Sequence, residues 1–218
     1  MAVKVAPSIL SGDFAKLGKE AERMEKAGAD MIHCDVMDGV FVPNLTFGHK
    51  MVADIRKHVN IPLDVHLMIV NPEKYLDKYV QSGADRLSFH YEATKQAKDN
   101  LVSLKNSGVK AGLAICPDTP AEEIFHLLDF CDFIVVMGVH PGFSGQKYIP
   151  TTTEKIRVLY DEILRRKLKV EIEMDGGANE SNVKSIASAG VKVMVSGSCA
   201  FNSPTPETVI SDFRNSDQ

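Results

Sequence analysis

Apolar and polar positions alternate along this chain in two rhythms. Eight short segments carry apolar residues in runs or at every second position: 4–8, 31–37, 63–68, 86–90, 111–115, 133–137, 170–175 and 193–197. Such runs read as strands. Between them lie segments with the three-to-four-residue apolar spacing of amphipathic helices, among them 14–26, 72–82, 121–128 and 152–164. Four helical segments end on the same punctuation, a glycine (Gly28, Gly83, Gly108, Gly190) followed by an apolar run. Glycine suits a helix C-terminus because the residue past the last turn commonly takes a positive φ. These glycines fall near multiples of a period of about 27 residues, the 218-residue length shared among eight units.

No linker or low-complexity tract interrupts the pattern. An unbroken eightfold strand–helix alternation predicts parallel strands joined by right-handed crossovers. It predicts an α/β fold, a (β/α)8 TIM barrel forming one domain over residues 1–218, in preference to a doubly wound open sheet. In such a barrel the chemistry belongs at the C-terminal ends of the strands.

Composition narrows the function classes. At 44% hydrophobic and 25% charged residues the chain is an ordinary globular one, not collagen-like, disordered or coiled-coil. No apolar run approaches the roughly 18 residues of a membrane span. A net charge of -4 argues against a nucleic-acid partner. The first ten residues read as a short strand breaking at Pro7, not as a secretory signal, and the expected compartment is the cytoplasm. Cys34, Cys116, Cys131 and Cys199 form no CxxC pair and are expected to be reduced, buried thiols.

The unusual residues lie at strand ends. In Met31-Ile32-His33-Cys34-Asp35-Val36-Met37, alternation places His33, Asp35 and Met37 on one face. Leu63-Asp64-Val65-His66-Leu67-Met68 repeats this with Asp64, His66 and Met68, and the seventh strand ends in Asp175. Two histidines and two aspartates from three strands, His33, Asp35, His66 and Asp175, make a ligand set for one divalent transition metal. Asp64 reads either as the partner orienting His66 or as a buried ion-pair member, and His90 as lining the site or filling the core. Met37, Met68 and Met137 are candidates to cluster at the barrel mouth. The loop Gly138-Val139-His140-Pro141-Gly142-Phe143-Ser144-Gly145-Gln146, with Gly176-Gly177 and Ser196-Gly197-Ser198, offers glycine-rich turns whose N–H groups can face an anion. Together they point to a phosphorylated small molecule.

Several stretches resemble the ribulose-phosphate 3-epimerase family. They are Ala6-Pro7-Ser8-Ile9-Leu10-Ser11, the run from His33 to Asn44 (HCDVMDGVFVPN), Asp64-Val65-His66-Leu67-Met68, Phe89-His90-Tyr91-Glu92-Ala93, Pro141-Gly142-Phe143-Ser144-Gly145-Gln146 and Met174-Asp175-Gly176-Gly177. The match continues to Gly197-Ser198-Cys199-Ala200-Phe201, nearly the whole chain. His140, Gly138 and Ser144 stand where the family commonly has other residues, which bears on substrate preference and not on the reaction.

The resemblance implies a barrel that interconverts D-ribulose 5-phosphate and D-xylulose 5-phosphate in the pentose phosphate pathway. It implies His33, Asp35, His66 and Asp175 as ligands of one divalent metal. The donor set itself puts Zn2+ first, since it binds His and Asp without redox chemistry, with Fe2+, Mn2+ and Co2+ also suited. It implies Asp35 and Asp175 as the acid/base pair, Ser8 and His66 as substrate contacts, and Gly142, Phe143, Ser144, Gly145, Gly176, Gly177, Gly197 and Ser198 as sugar and phosphate contacts. Epimerisation at C3 removes a proton from one face of a planar intermediate and delivers one to the other, which two carboxylates on separate strands can do. The rivals are a D-allulose-6-phosphate 3-epimerase, for which His140 and Ser144 are the features to watch, a non-catalytic phosphosugar-binding barrel and a metal-dependent hydrolase. A homo-oligomer is left open, since scattered apolar helix positions reveal no interface.

Overall fold

The computed structural model describes residues 2–217; Met1 and Gln218, the ends of the expected 1–218 domain, lie outside them. Eight parallel strands form one sheet: β1 (Lys4–Pro7), β2 (Ile32–Met37), β3 (Leu63–Met68), β4 (Arg86–His90), β5 (Lys110–Ile115), β6 (Phe133–Met137), β7 (Glu171–Asp175) and β8 (Val193–Ser196). Their order is β1-β8-β7-β6-β5-β4-β3-β2, and a parallel bridge between Ser8 and His33 joins the two ends into a ring. Each strand agrees with its expected segment to within one residue at either end. The surrounding helices are α1 (Leu17–Lys26), α2 (His49–Ile55), α3 (Leu76–Gln81), α4 (Ala97–Asn106), α5 (Thr152–Arg165), α6 (Val183–Ser188), α7 (Ser198–Phe201) and α8 (Pro206–Arg214), with a 3-10 helix at Ala121–Phe130 between β5 and β6.

Two expected helices divide. Segment 14–26 begins with a 3-10 turn, Phe14–Lys16, capped by the Asp13 carboxylate accepting from the Ala15 N–H, before α1. Segment 72–82 begins with Pro72–Lys74, launched by Asn71 in the left-handed region (φ 50) and by the fixed φ of Pro72. The segment at 121–128 is a 3-10 helix running on to Phe130. The four repeat-ending glycines all have positive φ, from 80 to 116.

Strand alternation divides the apolar residues into separate groups. Val5, Cys34, Val36, Val65, Leu67, Leu87, Phe89, Ile134 and Met174 face outward and join the helices in the main core. Ala6, Val193 and Val195 pack inside the ring, as do Ala114, Phe133, Val135 and Met137. All four cysteines are free; Cys34 and Cys131 are buried as expected, but Cys116 and Cys199 are only half-buried. Burial pushes the Cys34 and Cys131 thiols up to about 12, so both behave as apolar filler.

The lower end of the ring is closed by charge. The Arg86 guanidinium donates from Nε to Asp64 Oδ1 (3.1 Å), from Nη1 to Glu171 Oε2 (3.0 Å) and from Nη2 to Glu173 Oε2 (2.7 Å), while Lys4 Nζ donates to Glu171 Oε1 (2.7 Å). Its Cζ lies 3.9 Å from the centre of the Phe133 ring. That ring occupies space that only a glycine on β5 leaves open: a Cβ on Gly112 would lie 2.3 Å from Phe133 Cζ. Arg86→Met leaves the buried Asp64 and Glu173 carboxylates without their cation and is expected to destabilise the fold by about 3–5 kcal/mol. Urea denaturation checks this; a loss below about 1 kcal/mol, the range of exposed pairs, would contradict it.

Candidate active site

β2 and β3 are aligned so that His33 lies opposite Asp64, Asp35 opposite His66 and Met37 opposite Met68. Two neighbouring strands therefore present the same levels to the barrel axis. Asp175 arrives from β7, opposite Met137 of β6. One donor atom from each of His33, Asp35, His66 and Asp175 lies within 4.8 Å of the other three, and all four residues are buried.

His33 Nε2 is 3.4 Å from Asp35 Oδ1 and 3.8 Å from Asp175 Oδ2. His66 Nδ1 is 3.5 Å and 3.4 Å from the same two oxygens. Neither nitrogen has a hydrogen-bond partner, though both are buried. Buried polar atoms rarely go unpaired. These separations exceed good hydrogen-bond lengths, yet they approximate the roughly 3.3–3.6 Å between ligands of a tetrahedral ion with 2.0–2.2 Å bonds. The residues present thus fit a divalent metal.

The far edge of each imidazole is held separately. His33 Nδ1–H donates to Asp64 Oδ2 (2.8 Å), with Glu173 Oε1 3.3 Å away. Asp64 therefore orients His33 and not His66, besides joining the Arg86 ion pair. Residues two apart on one strand point the same way without meeting, whereas the register sets Asp64 beside His33. His66 Nε2 meets His90 Nε2 at 2.9 Å. His90 is fully buried behind His66 and does not line the cavity above.

Burial disfavours charge on His66, but the neighbouring Asp175 and Asp35 carboxylates outweigh it and lift the imidazole to about 9. His33 is raised too, burial opposing and Asp35, Asp64 and Glu173 prevailing. Asp35 is pushed up by burial and held well below the ordinary carboxylate range by His33 and His66. Burial and the neighbouring Asp64 push Glu173 up to about 7.

Above the cluster opens a cavity of about 380 Å³, the size of a small-molecule site. Ser8, Asp35 and Asp175 lie at its base, with the Ser8 hydroxyl donating to Asp35 Oδ2 at 2.5 Å. Met37, Met68 and Met137 line it, as expected of a methionine cluster. The wall is completed by Gly142, Phe143, Ser144 and Gly145 after β6, Gly176 and Gly177 after β7, and Gly197 and Ser198 after β8. The residues expected as metal ligands, acid/base pair and substrate contacts all line this cavity except His33 and His66, which lie beneath it; Asp64, His90 and His140 are not part of its wall. Gly177 (φ 77) is required by close packing: a Cβ there would lie 2.5 Å from the Tyr148 nitrogen.

Side chains brace the loop after β6. Asn44 Nδ2 donates to the Gly142 carbonyl (2.7 Å), Gln146 Nε2 to the carbonyls of His140 (2.7 Å) and Phe143 (2.9 Å), and the hydroxyls of Ser144 and Ser11 are 2.7 Å apart. His140 is turned toward Asp118, 3.7 Å away, and is absent from the cavity wall, whereas Ser144 is part of it. Lys147, Asn179 and Asn202 line the cavity and were not anticipated. Lys147 had one signal, as the only cation adjoining the glycine-rich loop.

Fold and site define a class: a (β/α)8 barrel with a metal-type centre beneath a glycine-walled cavity. The family model described as "Ribulose-phosphate 3 epimerase family" matches residues 4–201. The ribulose-phosphate 3-epimerase of Rhodobacter capsulatus is 49% identical over 206 residues, covering 94% of this chain and 89% of that protein. The Bacillus subtilis ribulose-phosphate 3-epimerase is 43% identical, covering 98% and 99%. A rice protein described as the cytoplasmic isoform is 43% identical, covering 99% and 94%. Among solved structures, 3-hexulose-6-phosphate synthase superposes with a TM-score of 0.70 at 14% identity, covering 99% of each chain, a likeness of fold. The chain belongs to the ribulose-phosphate 3-epimerase family.

Because Asp35 and Asp175 lift His66 to about 9, its metal-free imidazole holds a proton at neutral pH that a metal must displace. Zinc affinity is expected to rise with pH until it levels near about 9, with at least one proton released per ion at neutral pH. Calorimetry in buffers of different ionisation enthalpy reads that release; heats independent of the buffer and a flat affinity would contradict it.

Proposed function

We propose that this chain is a ribulose-phosphate 3-epimerase, interconverting D-ribulose 5-phosphate and D-xylulose 5-phosphate through Asp35 and Asp175, with residues 1–218 acting as one catalytic domain. The observation that carries the reading is the buried meeting of His33, Asp35, His66 and Asp175 at the base of the cavity. A divalent ion held by these four side chains, Zn2+ in first place and Fe2+, Mn2+ or Co2+ also suited, supplies Lewis acidity that offsets charge developing on the substrate oxygens.

The chain's own residues handle the proton. Asp35 Oδ1 and Asp175 Oδ2 face the imidazoles, so the other oxygen of each carboxylate is the one free to work on the sugar. At Asp35 that oxygen is Oδ2, steadied by the Ser8 hydroxyl. Asp35 and Asp175 come from β2 and β7, three places apart around the ring, which suits one acid above and one below the plane of the reacting carbons. Each takes the C3 proton in one direction and delivers it in the other. Met37, Met68 and Met137 give the planar intermediate a water-poor side. Main-chain N–H groups in Gly142–Gly145, Gly176-Gly177 and Gly197-Ser198 bind the phosphate, with Lys147 beside them. The cytoplasm is the proposed compartment, consistent with the rice relative's description and with the absence, among the described residues, of any helix long and apolar enough to cross a membrane.

Turnover of D-ribulose 5-phosphate in D2O should leave deuterium at C3 of the product. Asp35→Asn and Asp175→Asn should each lower kcat by at least the roughly 10²–10⁴-fold worth of a positioned base. Exchange at the wild-type rate in both variants would refute the two-carboxylate reading.

A further inference from the structure

Behind His66 lies a line of polar groups that the proposed reaction does not use. His66 Nε2 meets His90 Nε2 at 2.9 Å, and the rings are nearly coplanar, 22° apart with centroids separated by 5.0 Å. Because the nitrogens are so much closer than the centroids, the rings meet edge to edge, as an in-plane N–H···N bond requires. On its other edge, His90 Nδ1 faces Glu92 Oε2 at 3.3 Å, with Cys116 Sγ at 3.5 Å. Glu92 Oε1 accepts from the Cys116 backbone N–H (2.8 Å) and from the Thr119 hydroxyl. Lys155 Nζ holds that segment in turn, donating to the carbonyls of Cys116 (2.8 Å) and Pro117 (2.6 Å), and the Phe41 ring packs on His90 with centroids 4.8 Å apart.

A distance alone does not say which of two imidazoles donates across a shared N–H···N bond. Here the chain of partners decides it. A backbone N–H can only donate, so Glu92 Oε1 must accept. An ionised carboxylate accepts at both oxygens, so the proton on the other side of Oε2 belongs to His90 Nδ1. A neutral His90 then presents a bare Nε2 to His66, and His66 must donate from its own Nε2. Its remaining nitrogen, Nδ1, is the orphaned atom facing Asp35 and Asp175.

We infer that Glu92 and His90 are positioning residues that set the direction of this relay, fixing the proton of His66 on Nε2 so that the Nδ1 lone pair faces the metal position. The inference rests on the metal reading proposed above. It gives the two ligand histidines opposite devices, since His33 is held by the Asp64 carboxylate directly whereas His66 is held by a carboxylate acting through a second imidazole. A histidine that merely filled the core would be indifferent to the relay's direction.

Glu92→Gln separates the two cases while keeping size and shape. The Gln carbonyl must serve the Cys116 N–H and the Thr119 hydroxyl, which turns the amide NH2 toward His90 Nδ1. His90 must then accept at Nδ1 and carry its proton on Nε2, opposing the His66 N–H. Ring-nitrogen NMR of the full chain should find His90 as the Nδ1–H form in wild type, with and without zinc, and as the Nε2–H form in Glu92→Gln. Competition with a chelator should show zinc bound roughly 10–100-fold more weakly by Glu92→Gln, the usual loss when a partner behind a ligand histidine is removed. His90→Gln, whose carbonyl can accept from His66 while its amide donates to Glu92, keeps the direction and should bind zinc close to wild type. Wild-type His90 found with its proton on Nε2, or wild-type zinc affinity and His90 form in Glu92→Gln, would overturn the inference. Failure of the wild-type chain to bind zinc would count against the metal reading, and the His90 form would still decide the relay.

Discussion

Two imidazoles and two carboxylates packed out of water within 4.8 Å of one another are the constraint on which the rest of this molecule turns. Desolvating such groups is unfavourable unless their charges and lone pairs find partners. Protons can partly meet that need, which is why Asp175 and Asp35 lift His66 while His33 and His66 hold Asp35 down. A divalent cation meets it more fully, because it takes the lone pairs of both unpaired nitrogens and neutralises both carboxylates at once. The barrel supplies the geometry: only a closed ring brings β7 to the same axis as β2 and β3.

The ring also fixes what lies behind the cluster. Below it, Arg86 ties Asp64 and Glu173 together, so the carboxylate that orients His33 is itself held. To the side, Glu92 is anchored to the backbone of the segment after β5 and holds His90. Partners of this kind orient metal ligands and reduce the rearrangement needed when an ion arrives. Above, the three methionines and the glycine turns divide the cavity between an apolar side for the reacting carbons and exposed main-chain N–H groups for an anion.

Much of this was legible in the sequence because strands impose a period of two. His33, Asp35 and Met37, then Asp64, His66 and Met68, could be assigned to one face without knowing any neighbour, and the β2–β3 register brings those faces together. What escaped was whatever depends on register between strands or on loop geometry. Of the two readings open for Asp64, the buried ion pair is met by Arg86, while the imidazole it orients is not His66 on its own strand but His33, which the pairing sets beside it across the sheet. Arg86 and Glu173 carry ordinary charged side chains at or near strand starts, and nothing local marks them as fully enclosed. His140 sits in a loop rich in site residues yet turns outward to Asp118, while Lys147, one residue past the recognisable motif, is part of the cavity wall.

Four side chains meeting around one ion is an arrangement that diffraction can address. Crystals grown with zinc and an unreactive ketose phosphate analogue, measured across the zinc absorption edge, would locate the ion and the sugar together. One anomalous peak is expected at about 2.0–2.2 Å from His33 Nε2, His66 Nδ1 and an oxygen each of Asp35 and Asp175, with those two acids on opposite faces of C3. A peak elsewhere, or both carboxylates on the same face of the sugar, would contradict this arrangement.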